Sequence, residues 1–511
     1  MNRRQFLSSS TATAAAALLS ACSSNRGSRT PSAKPSTSAT SRPIGANDDI
    51  RVAIVGFNRQ GQFHIRSYRR MPGVRIVALC DVDERVLGTQ ADALAKDGIN
   101  VAKYRDIRAL LDSKEVDAIS CAMPGRWHSL AAVWACQAGK DANIEKPLSH
   151  CIWEGRRAVE AARKYRRMVQ VNLNNRSRPA LDEAFAFVHS GQIGKIVHVR
   201  AWDYKRRDSM GKVTGPQQIP DHIDYNLWTG PGPMLPLMRT QFHYDWHWQW
   251  SQGSGEIANN GSHHLDVVRW AIGQSGLPRA VQTFGGRFGY VDDGQTPNTL
   301  AAVYDFNGIP VVYEVRGLPE KARAKNMSNL EAETADGRPI VLPHDGGNNG
   351  VAIFCEGGYC TLDAVVYDNS GKEIKRFDKT PRTRPVPQEN FIKGVRSRKL
   401  TDLKPDVEQG HLSAAVCHMG NASILTGSAV TFDQAQRSIG SAADAHAAKA
   451  LERMKAHLAA NDVDVAKTPI TFGPKLTFDS ATERFNGAGS EQANLFLKDS
   501  YRSPFIVPDK V

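Results

Sequence analysis

The stretch from Ile50 to Asp81, IRVAIVGFNRQGQFHIRSYRRMPGVRIVALCD, constrains the fold more than any other part of the chain. IRVAIVGF has the continuous apolar character of a buried strand, GQFHIRSYRRM has helical spacing, and VRIVALCDVD is a second buried strand. Between the first strand and the helix, Gly56, Asn58 and Gly61 occupy the positions of G-x-G-x-x-G, with Asn in the middle place. Asn accepts positive φ better than other side-chain residues, and such a turn delivers backbone N–H groups and a helix N-terminus to a pyrophosphate. Asp81, 20 residues beyond Gly61, stands at the end of the second strand, where a carboxylate accepts hydrogen bonds from ribose hydroxyls. A carboxylate there repels a 2′-phosphate, so NAD is expected in preference to NADP, with Arg85 working against that preference. A glycine turn alone also fits a doubly wound domain that binds nothing; the order of strand, turn, helix, strand and acid carries the reading.

The pattern continues with a strand in VDAISCAMP, a helix over Ser129 to Ala138, a strand ending at Glu145, a helix from Trp153 to Tyr165 and the strand MVQVN. Strands alternating with helices predict a parallel, doubly wound Rossmann sheet over 49–172. Beyond Asn172 the spacing changes: GKIVHVRAW, Leu300 to Phe306, PVVYEVRG and GVAIFC are strands with hairpin spacing and few helices between them. This predicts an α+β domain over 173–440 with an open, largely antiparallel sheet, interrupted by a helix from Ser262 to Ile272. HLSAAVCHMGNASIL and the stretch Ala442 to Ala460 are helical by spacing, and 441–511 reads as a C-terminal helix and tail packed on the domains. The fold class is α/β.

The first 48 residues have a different character. Arg3 and Arg4, followed by Gln5, Phe6 and Leu7, resemble a twin-arginine export signal. The apolar run from Thr11 to Ala21 is much shorter than the roughly 20 residues needed to span a bilayer. Leu19, Ser20, Ala21 and Cys22 resemble a lipobox. Residues 1–22 therefore read as a signal and 23–48, rich in Ser, Thr, Pro and Gly, as a flexible linker that cannot repay the entropy of folding. The expectation is export by the twin-arginine route to the periplasmic or cell-envelope face, with membrane contact only through lipid on Cys22. Twin-arginine routes carry folded proteins, often with a cofactor inside.

The net charge of +13 is mildly misleading, because six basic and two acidic residues fall within the first 49. The remainder is spread without basic runs or interleaved aromatics, which excludes a nucleic-acid footprint. Of eight cysteines, Cys22 is assigned to lipidation, and the odd number left argues against a disulfide framework. Cys80, Cys121 and Cys136 sit in apolar segments as buried thiols, while Cys355 and Cys360 bracket a turn that admits a cross-strand bond.

Glu145, Lys146 and Pro147, with PGRWHSLAAVWACQAGKD before them and CIWEGRRAVEAARKY after them, resemble the Gfo/Idh/MocA oxidoreductases, the family of glucose-fructose oxidoreductase and inositol dehydrogenase. The likeness runs from Ile50 to Val511 and is greatest to an exported branch with a segment like FHYDWHWQWSQGSGEIANNGSHHLD. It implies a Rossmann domain followed by a domain whose open sheet faces the nicotinamide. It also implies that Pro124, Trp127, His128, Glu145 and Lys146 adjoin the cofactor, and that Lys146 and His263 share acid/base work. Oxidation of a carbinol needs a group that takes the hydroxyl proton, and a nearby nicotinamide cation would depress the Lys146 pKa toward a useful range. Many relatives have Asp four residues before this histidine, but Asn259 stands here; it can hold an imidazole without stabilising its cation. Asp266 lies one turn later, and His264 reads as a core or capping residue. Tyr204, Lys205, His243, Trp246, Asn259, His263 and His418 are substrate candidates, with Asn421 beside His418. The aromatics between Phe242 and Trp250 suit the C–H face of a pyranose, or else form a small packed core. His243 and His247 have i, i+4 spacing but no Glu or Cys nearby in sequence, so no metal is expected.

These features favour an NAD-dependent oxidoreductase acting on a CH–OH group of a sugar or glycoside, with the cofactor tightly bound. Two other readings compete: an NAD-dependent glycosidase that works by transient oxidation and elimination, and a lipid-tethered carbohydrate-binding protein without catalysis. An exposed sheet face in the second domain would make a homo-oligomer the expected assembly.

Overall fold

A computed structural model of the chain describes residues 49–511 apart from 274–275, 319–330, 336, 343–348, 378–385 and 440–444. Residues 1–22 with Cys22, expected to be a signal, and 23–48, expected to be a linker, lie outside the described residues. The N-terminal domain runs β1 (Ile50–Val55), α1 (Gln60–Tyr68), β2 (Val74–Cys80), α2 (Glu84–Lys96), β3 (Ala102–Tyr104), α3 (Ile107–Asp112), β4 (Ala118–Cys121), α4 (His128–Gln137), β5 (Asp141–Ile144), α5 (Ile152–Lys164) and β6 (Val169–Val171). Its six strands lie in the order β3-β2-β1-β4-β5-β6, all parallel. Side chains alternate across the sheet. Val52 and Ile54 pack with Phe57, Tyr68 and Leu94 on one face, while Ala53 and Val55 pack with Leu130 and Val133 on the other. Both faces are buried, so the strands read as unbroken apolar runs. Strand order reverses between β1 and β4, and the crevice outside their carboxyl ends is where ligands bind in such sheets.

The second domain begins with α6 (Pro179–His189) and β7 (Ile196–Asp203), followed by the short helices α7 (Tyr225–Thr229) and α8 (Gly255–Asn259), then α9 (Gly261–Ile272). Three long strands follow, β8 (Ala280–Gly286), β9 (Thr299–Phe306) and β10 (Ile309–Arg316), then the small pair β11 (Glu331–Glu333) and β12 (Pro339–Val341). Next come β13 (Asn349–Cys355), β14 (Gly358–Thr361), β15 (Val365–Asp368) and β16 (Glu373–Arg376), and the helices α10 (Pro387–Ser397) and α11 (Val407–Leu425). The chain finishes with β17 (Ser428–Val430), α12 (Phe432–Ile439), α13 (Ala445–Ala460), β18 (Ile470–Phe472), β19 (Leu476–Asp479), β20 (Arg484–Asn486) and α14 (Ser490–Asn494). Twelve strands form one sheet, in the order β16-β15-β14-β13-β7-β10-β9-β8-β18-β17, with β19 joining β8 and β20 joining β19. All its pairings are antiparallel except that of β7 with β10.

Three expectations need correction. The second sheet has no open apolar face in its middle: Leu300, Ala302 and Tyr304 turn toward α9 and α11, while Phe284, Ala301 and Val312 are buried against Phe432, Leu451 and Met454 of α12 and α13. The argument for self-association through that face therefore falls away. Residues 441–511 are not a tail, because β18 and β19 extend the large sheet and Phe505 and Val507 enter the core of the first domain. That domain also takes Phe391, Ile392 and Val395 from α10, so its core is not confined to 49–172. The bond that the turn between Cys355 and Cys360 would admit, left open by the sequence, is not formed: Cys355 pairs with Gly358 and Cys360 with Ile353, so the two are not opposite one another, and both are free, buried thiols.

Candidate active site

Gly56 closes β1 at φ +73°, a left-handed conformation that suits glycine, and a Cβ there would press on Ala122 and Met123 at the end of β4. A Cβ on Gly61 would lie 2.2 Å from the Gly56 carbonyl oxygen and 2.7 Å from Phe57 Cβ, so this position admits only glycine. Asn58 is exposed and its φ is outside the left-handed region, so its tolerance of positive φ is not what fits it to the turn. No side chain caps the N-terminus of α1 and its first turn holds no acid, whereas α2 and α3 are capped by Asp83 and Asp106. The Asp81 carboxylate accepts from the backbone N–H of Phe57 (3.0 Å) and of Asp83 (3.1 Å), which locks the turn to the end of β2. A tight glycine turn, a helix start left without a cap and a fixed carboxylate at the second strand end form a cradle that fits a dinucleotide.

The cradle opens into a cavity of about 470 Å³ that Gly56, Asn58, Asp81, Pro124, Trp127, His128, Glu145, Lys146, His243, Trp246, Asn259 and His263 all line. Gly61 shapes the turn from behind. Glu145 ends β5 and is a hub: Oε1 accepts from Gln60 Nε2 (3.0 Å) and Asn172 Nδ2 (3.2 Å) and lies 3.1 Å from His64 Nε2. Burial pushes its carboxyl up, but His64 and then Lys146 outweigh that and hold it at about 2. Lys146 crosses the cleft, donating from Nζ to the Asn259 carbonyl oxygen (2.6 Å) and to Asn259 Oδ1 (3.0 Å). Its pKa is lowered, by burial first, against the opposing charges of Glu145 and Glu256. His263 is depressed well below the usual imidazole range by burial and by Lys146, and its Nδ1 has no hydrogen-bond partner among the described residues. It faces the cavity as a neutral ring.

A long excursion between β7 and α8, residues 205–254, roofs this cavity. Ile223 forms an antiparallel bridge with Asp83, the Glu84 N–H donates to the His222 carbonyl (2.9 Å), and that of Asp224 donates to the Val82 carbonyl (3.1 Å). His243 Nε2 lies 3.0 Å from Asp83 Oδ2, and Leu227, Trp228, Tyr244, Trp246 and His247 close the space from above. The Arg59 guanidinium stands 4.6 Å from the centre of the Tyr244 ring, linking the glycine turn to the roof. Trp127 Nε1 donates to the Trp228 carbonyl (3.1 Å), and His128 places its two ring nitrogens 2.7 and 2.9 Å from the carbonyls of Pro147 and Met123.

Some expected substrate residues lie elsewhere. Tyr204 shares the parity of Arg200 and Trp202 on the β7 line, so it turns to the face covered by the C-terminal helices, where Arg200 donates to its hydroxyl and the Arg316 guanidinium lies over its ring. His418 is buried at the domain junction with Nε2 2.9 Å from the Ser149 carbonyl, and Asn421 donates to the Ser254 carbonyl. Lys205 does not line the cavity; it donates to Asn260 Oδ1 (3.2 Å) just behind Asn259. His264 is a buried core residue, and Asp266 is tied to Arg176 and Ser413. Sequence reasoning missed Glu256, Arg207 and Trp228. Glu256 had a signal, an acid three residues before Asn259 on one helix face; Trp228 and Arg207 had none.

Fold and cleft together define a two-domain oxidoreductase with a dinucleotide crevice facing a second, sheet-based domain. The family description "Oxidoreductase family, NAD-binding Rossmann fold" matches residues 50–173, and "Oxidoreductase family, C-terminal alpha/beta domain" matches 188–283. Residues 50–173 and 188–283 thus match the two domains of the Gfo/Idh/MocA oxidoreductase family. Glycosyl hydrolase family 109 protein 2 of Shewanella sp. (strain ANA-3) is 27% identical over 361 residues, covering 67% of this chain and 69% of its own. The glycosyl hydrolase family 109 protein of Shewanella pealeana (strain ATCC 700345 / ANG-SQ1) is 28% identical over 364 residues, covering 68% and 69%. Among solved structures, the WlbA dehydrogenase from Bordetella pertussis in complex with NADH and UDP-GlcNAcA has a TM-score of 0.52 at 19% identity, over 73% of this chain and 97% of that one. Levoglucosan dehydrogenase in complex with NADH and levoglucosan gives 0.52 at 16% identity, over 73% and 96%. These two share the fold.

Proposed function

We propose that the protein oxidises a CH–OH group of a sugar or glycoside to the ketone, using NAD that it holds tightly beneath the roof. The observation that carries this reading is the placing of Lys146 Nζ and the neutral His263 ring in the same cavity as the Gly56 turn and Asp81. The Gly56 turn and the start of α1 would hold the pyrophosphate, Asp81 the ribose hydroxyls, and the Pro124, Trp127 and His128 wall the nicotinamide end. Bound NAD supplies the hydride acceptor. Lys146 orients the substrate hydroxyl and takes its proton, a role for which a lysine with a lowered pKa is better suited than an ordinary one. His263 is a second polar ring lining the cavity, and the stacked Trp246 and His247 rings offer a flat surface to a pyranose.

The names of the similar dehydrogenases support a sugar substrate, and those of the family 109 relatives support a second reading, an NAD-dependent glycosidase. The same lysine and histidine serve both. The twin-arginine and Cys22 features support delivery of the folded, cofactor-loaded protein to the cell envelope, where free NAD is not expected. Among the described residues no helix is long and apolar enough to cross a membrane, so lipid on Cys22 would be the anchor.

The test is to denature freshly purified protein and assay the supernatant: nicotinamide nucleotide is expected at close to one per chain, and its absence would count heavily against the proposal. Product analysis on a panel of sugars and aryl glycosides then separates the enzymes. A ketone with reduced cofactor means dehydrogenase; a released aglycone with unchanged cofactor means glycosidase. Lys146→Ala should lower turnover by at least about 10²-fold in either case. A non-catalytic sugar binder would show sugar binding and no turnover with either form of the protein.

A further inference from the structure

Asn259 stands where a carboxylate would hold and charge the reacting groups, and the structure places a carboxylate one turn behind it. We propose that Glu256 is the positioning residue for Lys146, acting through Asn259, so that Glu256 and Asn259 together replace the single acid usual at that place. This rests on Lys146 being the acid/base group of the proposed reaction.

The geometry runs in one line. The Lys146 ammonium can only donate and an ionised carboxylate can only accept, which fixes the Asn259 amide with Oδ1 toward Lys146 and Nδ2 toward Glu256 in the resting site. Nδ2 lies 3.4 and 3.5 Å from the two Glu256 oxygens, and Oδ1 lies 3.0 Å from Lys146 Nζ. Glu256 is itself fixed: Arg207 grips it with two bonds of 2.8 and 3.0 Å, and the Asn260 amide donates to Oε1. Its neighbour Asp203 is buried beside it, and burial, the Glu256 charge and a hydrogen bond to Glu256 that only the protonated Asp203 can donate push its carboxyl well above the usual range. Negative charge therefore stays on Glu256, whose carboxyl burial would raise but Arg207 holds at about 2. Of the charged and titratable groups facing Lys146, Glu145 and Glu256 favour its ammonium and Lys205 and Arg207 oppose it, while the His247 and His263 rings, whose pKa values burial lowers, are neutral and add no opposing charge. Without Glu256, Glu145 is the one carboxylate among the described residues named above that still favours it.

The experiment reads Lys146 directly and needs no substrate. Competitive labelling of the full-length protein with acetic anhydride across pH, followed by peptide mass spectrometry, gives the midpoint at which Lys146 becomes reactive. In Glu256→Gln the midpoint should fall by about one pH unit, and in Glu256→Gln with Asn259→Asp it should return toward the wild-type value. If Glu256→Gln folds, as judged by circular dichroism, and leaves the midpoint unmoved, the proposal is overturned. If that variant does not fold, Asn259→Ala, which keeps Glu256 paired with Arg207, takes its place. A several-fold rise in Lys146 acetylation at fixed pH supports the link, and an unchanged rate overturns it. Labelling is independent of turnover, so a chain that oxidises no sugar can still pass this test, and an active enzyme can still fail it.

Discussion

Gly61 has the least room of any residue in the cofactor turn, because the carbonyl of Gly56 occupies the space a side chain would need. Gly61→Ala should push α1 off the turn and weaken nucleotide binding by at least about tenfold, equivalent to about 1.4 kcal/mol, as read by the nucleotide recovered per chain. Asn58→Gly should leave that yield unchanged, since Asn58 is exposed and adopts an ordinary φ. At this scale the sequence was informative where spacing alone determined position. Gly56, Gly61, Asp81, Glu145, Lys146 and His263 all line or shape one cleft because each sits at a strand end or helix start with a fixed place in the topology. Tyr204 was misplaced because one residue of strand parity moves a side chain through the sheet, and nothing in HVRAWDY reveals which face meets the cofactor. Glu256 was legible only as a spacing to Asn259; its grip by Arg207 joins residues 49 apart and leaves no local trace.

At the scale of elements, the strands visible in the sequence are those buried on both sides. β9 and β10 bury residues of both parities, giving continuous apolar runs, whereas β17 to β20 span three or four residues each, too short for any period to show. Two devices that join elements could not be read at all. One is the buried charge cluster in which Arg200 of β7, Arg316 of β10 and Arg453 of α13 surround Glu314 and hold its carboxyl well below the usual range despite burial. Glu314→Gln removes the buried carboxylate that three guanidinium groups share and should cost about 3–5 kcal/mol in urea unfolding. The other is the roof, pinned to the end of β2 by His243 on Asp83. His243→Ala should leave stability within about 1 kcal/mol, since one partly exposed contact is lost. It should nonetheless speed exchange of bound nucleotide against isotopically labelled NAD, because leaving the cleft requires the roof to lift.

The whole molecule is held together by its own C-terminus, which returns from the large sheet to the first domain. Phe505 packs edge-on against Trp127 (5.3 Å), and Asp499 sits between Arg126 (2.9 Å) and His150 (2.6 Å), all of them buried. Trp127 and His150 line the nucleotide cavity, so the end of the chain braces a wall of the site. Glu154 lies in the same cluster, and burial followed by the charge of Asp499 pushes its carboxyl up to about 7. An acid with a raised folded pKa is protonated in the fold while the unfolded chain has already ionised. Its contribution is therefore fully present below about pH 4.5 and is lost as pH rises through about 7. The urea midpoint of the wild type should fall between about pH 5 and pH 8, and Glu154→Gln should flatten that fall. Asp499→Asn adds a sharper condition. It removes the charge that raises Glu154, which should flatten the same pH dependence, yet it strands Arg126 and should cost about 3–5 kcal/mol at every pH. The two substitutions must then be non-additive in a double-mutant cycle at about pH 8, with the coupling vanishing well below about pH 4.5, where Glu154 is protonated in both states. A coupling that stays constant with pH would mean that the brace is held by packing around Phe505 alone, with the charges as passengers.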